Sequence, residues 1–167
     1  AADELVVELD NLTEWLRVGA GSAGRDDATA ARINGLLGRI PETERTRWLA
    51  RADVAAALGF AWGEARFWEA AIDCLSTALS AAKGNCPLRA LEQLANFRAR
   101  HATELWQSQR ARGVVETADE TQARADLVDR AIADLTQLCE RAPTAERLDL
   151  LGSAHKRRAL AAESDPA

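Results

Sequence analysis

The chain contains no methionine, not even at position 1, and no apolar run of membrane-spanning length. The first absence predicts a fragment taken from the interior of a larger protein. The second, together with the lack of a signal-peptide pattern, predicts neither a leader nor a membrane partner. No block of Lys or Arg is interleaved with aromatics, so the electrostatic footprint of a nucleic-acid binder is missing. The three cysteines, Cys74, Cys86 and Cys139, form no CxxC pair and lie far from both histidines, which argues against a zinc site and a disulfide framework. They read as small buried hydrophobes in a reducing cytosol, so a cytoplasmic location is expected.

Signatures of catalysis are equally scarce. There is no HExxH, no GxSxG and no phosphate-binding loop; "GAGSAG", Gly19 to Gly24, follows a helical pattern rather than a strand and carries no Lys, so it reads as linker. His101 is expected at the surface among Arg98, Arg100 and Thr103, and His155 between helices. Neither has a second ligand at metal-binding spacing. No enzyme activity, catalytic residue, metal or cofactor is expected.

Apolar residues make up 47% of the 167 and charged residues 28%, with a net charge of -5; alanine, leucine, arginine and glutamate dominate, and only four prolines and ten glycines interrupt them. This is the balance of an all-α protein. At this length a single domain buries roughly 70% of the surface of its unfolded chain, so a substantial core is expected.

Leu5, Leu9, Leu12 and Leu16, with Trp15 beside them, give a first amphipathic helix over 3–18. The flexible loop 19–27 follows, then a second helix over about 28–39 carrying Ile33, Leu36 and Leu37. Pro41 suits the first turn of a third, which is read as running unbroken through "ERTRWLARADVAAALGFAWGEAR". "WEAAIDCLSTALSAAK" is a fourth, closed by Gly84 and Asn85. A long fifth helix starts after Pro87 and fades near Gly113. Thr117 and Glu120 form a capping box opening a sixth, whose apolar face is Leu127, Ala131, Leu135, Leu138 and Ala142. "ERLDLLGSAHKRRALA", Glu146 to Ala161, is the seventh, capped by Thr144.

The helices keep a register. With position 1 at Ala52, Leu58 and Gly59 fall at the Leu-Gly pair of a tetratricopeptide repeat, Trp62 at its aromatic, Ala71 at the small residue of the second helix, and Leu75 and Ala78 at the packing positions beyond it. With position 1 at Leu88, Leu91, Leu94 and Ala95 occupy the first helix, Arg98 replaces the aromatic, and Ala131, Leu135, Leu138 and Pro143 supply the second helix after a long extension. With position 1 at Ala145, Leu148, Leu151, Gly152 and His155 begin a third repeat without a second helix. The segments "PLRALEQLANFRAR" and "ERLDLLGSAHKRRALA" resemble the tetratricopeptide-like region of bacterial proteins that also carry a CHAT domain, a caspase-like peptidase domain. The resemblance covers 40–161 and implies a scaffold beside a protease-like module, without peptidase activity of its own. The whole reads as one helical repeat domain: an N-terminal pair over 1–40, then an antiparallel hairpin array over 41–161 with its last repeat incomplete.

In such arrays the first helices line a concave groove. Carried over residue by residue, that groove takes in Phe60, Arg89, Glu92, Asn96, Arg100, Asp149, Lys156 and Arg157. Asn96 resembles the asparagine of tetratricopeptide carboxylate clamps, whereas Glu92 stands where these place a lysine. Arg89, Arg100, Lys156 and Arg157 suit an acidic protein segment, held by charge-assisted hydrogen bonds; the same charges also read as a solvated face. Of the five tryptophans, at 15, 48, 62, 68 and 106, most are expected in the core, and Trp106, on the helix extension, is expected at the surface as a partner contact. The reading is a non-catalytic scaffold for a peptide segment or neighbouring domain. The alternative is a self-associating structural or regulatory domain, a homo-oligomer formed through the incomplete last repeat. In either case Leu148, Leu151 and His155 are expected to pack on the preceding hairpin, with Leu160 uncovered.

Overall fold

The structure, a computed structural model, describes residues 1–19, 26–82 and 87–162. Among them it contains eight helices and no strand: α1 (Ala2–Gly19), α2 (Asp27–Gly38), α3 (Glu42–Leu49), α4 (Ala52–Glu64), α5 (Trp68–Ala81), α6 (Leu88–Ala111), α7 (Ala118–Arg141) and α8 (Ala145–Ala162). They form two compact units, Ala1–Leu91 and Glu92–Ala167, with the division inside α6. The expected linker lies almost wholly outside the described residues, as do Gly84, Asn85 and Cys86.

In the first unit α1 packs on α4, and α4 on α5. The leucine stripe of α1 behaves as its spacing predicts: Leu5, Leu9, Leu12 and Leu16 are all buried and join Ile33, Val54, Leu58 and Ala61 in one cluster. Each such leucine contributes about 1.5–3 kcal/mol relative to leaving it in water. Asp26 caps α2 by accepting the Thr29 N–H at 3.0 Å, while its own N–H donates to the Ala65 carbonyl at 3.2 Å, tying the start of α2 to the end of α4.

The expected third helix is two. Ala50 ends α3, and Arg51 is extended at φ -73°, ψ 134°. No proline or glycine marks the break. The Arg51 guanidinium reaches Asp53 and also Asp3 of α1, at 2.6 Å each, and Asp53 accepts the Val54 N–H at 2.9 Å, giving an acceptor to one of the donors that a helix start leaves unsatisfied. The bend lets α4 bury eight residues, Val54 to Gly59 with Ala61 and Gly63, while α3 buries none.

The turn from α4 to α5 is a Schellman closure: the Phe67 N–H donates to the Trp62 carbonyl and the Arg66 N–H to the Gly63 carbonyl, both at 3.0 Å. Arg66 holds the left-handed position at φ 62°. The rings of Trp62 and Phe67 meet edge-on, 5.5 Å between centroids. Beyond the turn the two helices approach closely where Gly59 faces Leu75, with Ala71 and Ala78 also buried.

In the second unit Thr117 and Glu120 form the predicted capping box of α7. Arg98, at the aromatic position of the repeat, reaches from α6 to Asp134 of α7 at 2.7 Å. Ala131, Leu135 and Leu138 are buried as expected, but Leu127 is only half-buried and Ala142 exposed; Arg124 and Val128 complete the buried face instead. Arg124 can be buried because Glu116 accepts from its Nε and Nη2 at 2.9 and 2.7 Å.

The register of α8 differs from the expectation. Leu148 is 53% exposed, His155 is exposed and Leu151 is half-buried, while Arg147 and Ala154 are buried. The helix is turned by about one residue. Arg147 is held there because its Nε donates to Glu92 at 2.6 Å and its Nη1 to the Ala142 carbonyl. Gly152 has no atom within 4 Å of where a Cβ would lie, so it mediates no close helix approach. Leu160, expected to be uncovered, is 44% exposed.

Candidate partner-binding surface

The residues that the repeat register assigns to a groove fall in both units. In the first, Phe60 is half-buried against Ala55, Ala56 and Ala78, and exposed Arg89 lies over its ring at 4.8 Å. Their stacking is a cation–π contact and leaves the other guanidinium edges facing water.

In the second unit, Glu92 is engaged by buried Arg147 and faces inward. Asn96 donates to Gln93 and accepts from Arg100 Nε, both at 3.2 Å, so its amide is oriented along α6 by its own helix neighbours. Asp149 and Lys156 are exposed on α8. Trp106 is half-buried, with Arg110 over its ring at 5.4 Å, and it lines a small cleft with Ala102, Thr103, Val128, Arg157 and Leu160. Arg157 is half-buried at this cleft; burial, and then the nearby charge of Arg100, lower its pKa from the usual arginine value. Its neighbour Arg158 is paired with Asp129 at 2.7 Å.

One surface feature escaped the sequence reading. Trp15, expected beside the leucine stripe, is 60% exposed, and Val7 and Val18 on the same outward side of α1 are 58% and 81% exposed. Trp15 lines an open groove between α1 and α2 together with Asn11, Leu12, Gly35 and Leu36, and Arg32 lies over its ring at 4.9 Å. The signal was in the heptad arithmetic: 7, 11, 15 and 18 form their own stripe, opposite the leucines.

Chemistry-bearing clusters do not accompany these surfaces. Among the described residues no group of three or more His, Cys, Asp or Glu is placed to hold a metal ion. The two histidines exchange the environments expected of them: His101 is half-buried and His155 exposed. Burial pushes the Cys74 thiol up to about 11, the opposite of an activated nucleophile. No described helix is long and apolar enough to cross a membrane.

A family model described as TPR-S, Tetratricopeptide Repeats-Sensor, matches residues 67–167, which takes in α5 to α8. No curated protein and no solved structure matches the chain. Tetratricopeptide-type repeats generally mediate protein–protein interaction, and their all-helical fold is typically non-catalytic. With paired helices in that repeat order, and a match over more than half of its length, the chain belongs to the Tetratricopeptide Repeats-Sensor family.

Proposed function

We propose that this chain is a non-catalytic scaffold that binds a peptide segment or a neighbouring protein domain. The observation that carries the reading is Trp15, 60% exposed on an open groove and covered on one face by Arg32. Tryptophan and arginine are the residue types most enriched where binding energy concentrates. Phe60 under Arg89 and Trp106 under Arg110 repeat the combination elsewhere. The resemblance of "PLRALEQLANFRAR" and "ERLDLLGSAHKRRALA" supports a place beside a caspase-like CHAT domain in a bacterial protein, and the half-buried thiols of Cys74 and Cys139 support a reducing, cytoplasmic setting. The test is capture of partners on the immobilised chain, followed by calorimetry with each partner identified. Trp15→Ala should weaken at least one of them with the helical content unchanged. Turnover of a small molecule with no protein partner would refute the reading.

A second reading, self-association, is supported by Leu148 and Leu160, 53% and 44% exposed on α8. Sedimentation velocity separates the two: a mass that rises with concentration and falls back in Leu148→Glu supports self-association, and a monomer at all concentrations removes it.

A further inference from the structure

We propose that the cleft between α6, α7 and α8 in the second unit is a recognition site for an acidic peptide, an aliphatic side chain filling the cleft and an adjacent aspartate or glutamate carboxylate meeting Arg157. This rests on the protein-binding reading above and names what one of its sites takes.

Arg157 is the residue that sets the site apart. Arg98, Arg124, Arg147 and Arg158 of the same unit each hold a carboxylate at 2.6–2.7 Å. Arg157 sits beside them in space or sequence, half-buried, and has no ion-pair partner among the described residues. The charge of Arg100 nearby is of the same sign. A guanidinium stays protonated at any physiological pH, so the cost of partly removing this cation from water, and of holding it near another, goes uncompensated within the unit. Asp129 of α7, the acid that the neighbouring Arg158 reaches, is already held by that arginine. A carboxylate from outside meets the planar fork of Arg157 with two hydrogen bonds and relieves both terms.

The walls fix the rest of the ligand. Ala102, Val128, Leu160 and the Trp106 ring supply the apolar walls; the other polar lining groups besides Arg157 are Gln107, Arg124, whose guanidinium is held by Glu116, and Thr103, whose hydroxyl already donates to the Ala99 carbonyl at 3.0 Å. The cleft holds about 50 Å³. Sites that enclose a small-molecule ligand or cofactor run to about 300–1,000 Å³, so a nucleotide or cofactor does not fit, whereas one side chain does. An isolated inorganic anion would satisfy Arg157 and leave the apolar walls in water. A peptide carrying an aliphatic residue beside an acidic one satisfies both.

The test is selection of random twelve-residue peptides displayed on phage against the chain, followed by fluorescence anisotropy with the enriched peptides. The expected consensus pairs Asp or Glu with Leu, Ile, Val or Met. Arg157→Gln should cost roughly tenfold to a hundredfold in affinity, the range of a hydrogen bond to a charged group, and Arg157→Lys less. Thr103→Leu, which fills the cleft, should also weaken binding, with circular dichroism unchanged in each variant. Enriched peptides without an acidic residue, or indifferent to Arg157→Gln, overturn the site, as does no enrichment at all; in each case the scaffold reading stands or falls on the capture experiment above. If Arg157→Gln does not fold, salt decides: affinity falling several-fold between about 0.05 and 0.5 M NaCl supports the site, and salt-independent binding overturns it.

Discussion

Replacing Gly59 with alanine should destabilise the first unit, although alanine is the better helix former. Gly59 lies in the interior of α4, where the exchange by itself gains about 1 kcal/mol. The new Cβ, however, would lie 2.6 and 2.7 Å from Leu75 Cγ and Cδ2 and 3.2 Å from the Leu75 backbone nitrogen. Carbon atoms rest at about 3.5–4.0 Å, so Leu75 has to move by roughly 1 Å. It is fully enclosed, and part of what it meets is its own backbone, so either its rotamer is forced or α4 and α5 separate. Overpacking of this kind costs about 1–3 kcal/mol and occasionally more. The upper end applies here, leaving a net loss of about 2 kcal/mol after the propensity gain. Urea denaturation followed by tryptophan fluorescence reads it directly, because four of the five tryptophans, Trp15, Trp48, Trp62 and Trp68, belong to this unit. Gly35→Ala is the control: nothing lies within 4 Å of its Cβ, so it should gain up to about 1 kcal/mol. Leu75→Ala alone should cost roughly 2–5 kcal/mol, but the double replacement less than the sum, since the alanine at position 59 then enters vacated space. Gly59→Ala at or above wild-type stability, or strict additivity with Leu75→Ala, would refute the close approach.

Four further outcomes follow from the second unit and from Cys74. Thr117→Ala should cost about 1 kcal/mol in the urea stability of the second unit, through loss of the α7 cap. Backbone and hydroxyl bonds from Thr117 hold the Glu120 carboxyl below its ordinary value of 4.5, so the stability it adds is present above that pH and is lost as pH falls through the lower folded value; an acid titration of wild type against Glu120→Gln checks the sign. Glu92→Ala should cost roughly 3 kcal/mol by leaving Arg147 buried without its counter-ion, and Glu92→Leu with Arg147→Met should recover most of that loss, measured by thermal unfolding. With its thiol near 11, Cys74 is about one part in a thousand thiolate at pH 8, so iodoacetamide mapped by mass spectrometry should label it far more slowly in the folded chain than in urea.

What could be read from the residues depended on how local the physics was. The capping box at Thr117 and the leucine stripe of α1 are decided within one or two turns, and both stand as their spacing implied. The register through Leu58, Gly59, Ala71 and Leu75 also holds, because small and large residues meeting across a short turn leave few alternatives. The break at Arg51 was invisible because its cause is distant: an aspartate in α1, 48 residues earlier, shares the guanidinium. The rotation of α8 has the same origin, a buried arginine whose partner Glu92 is 55 residues away, and hydrophobicity alone ranks Leu148 above Arg147 for the core. Groove residues were harder still. Spacing nominates Glu92, Asn96 and Arg157 alike, yet Glu92 is committed to Arg147 and Asn96 to its own helix, while Arg157 keeps no ion pair among the described residues.

The Schellman turn at Arg66 also bears on the order of folding. It joins α4 to α5 through bonds between residues three and five apart, and the Gly59–Leu75 approach closes only 16 residues of chain. Bringing α1 onto α4 requires closing a loop of several dozen, at a greater entropic cost. The α4–α5 hairpin is therefore the expected nucleus, with α1 docking after the rate-limiting step. Substitutions at Phe67 or Leu75 should then slow refolding, while those at Leu9 or Leu12 should chiefly hasten unfolding, so that the lifetime of the folded unit is governed by its N-terminal helix.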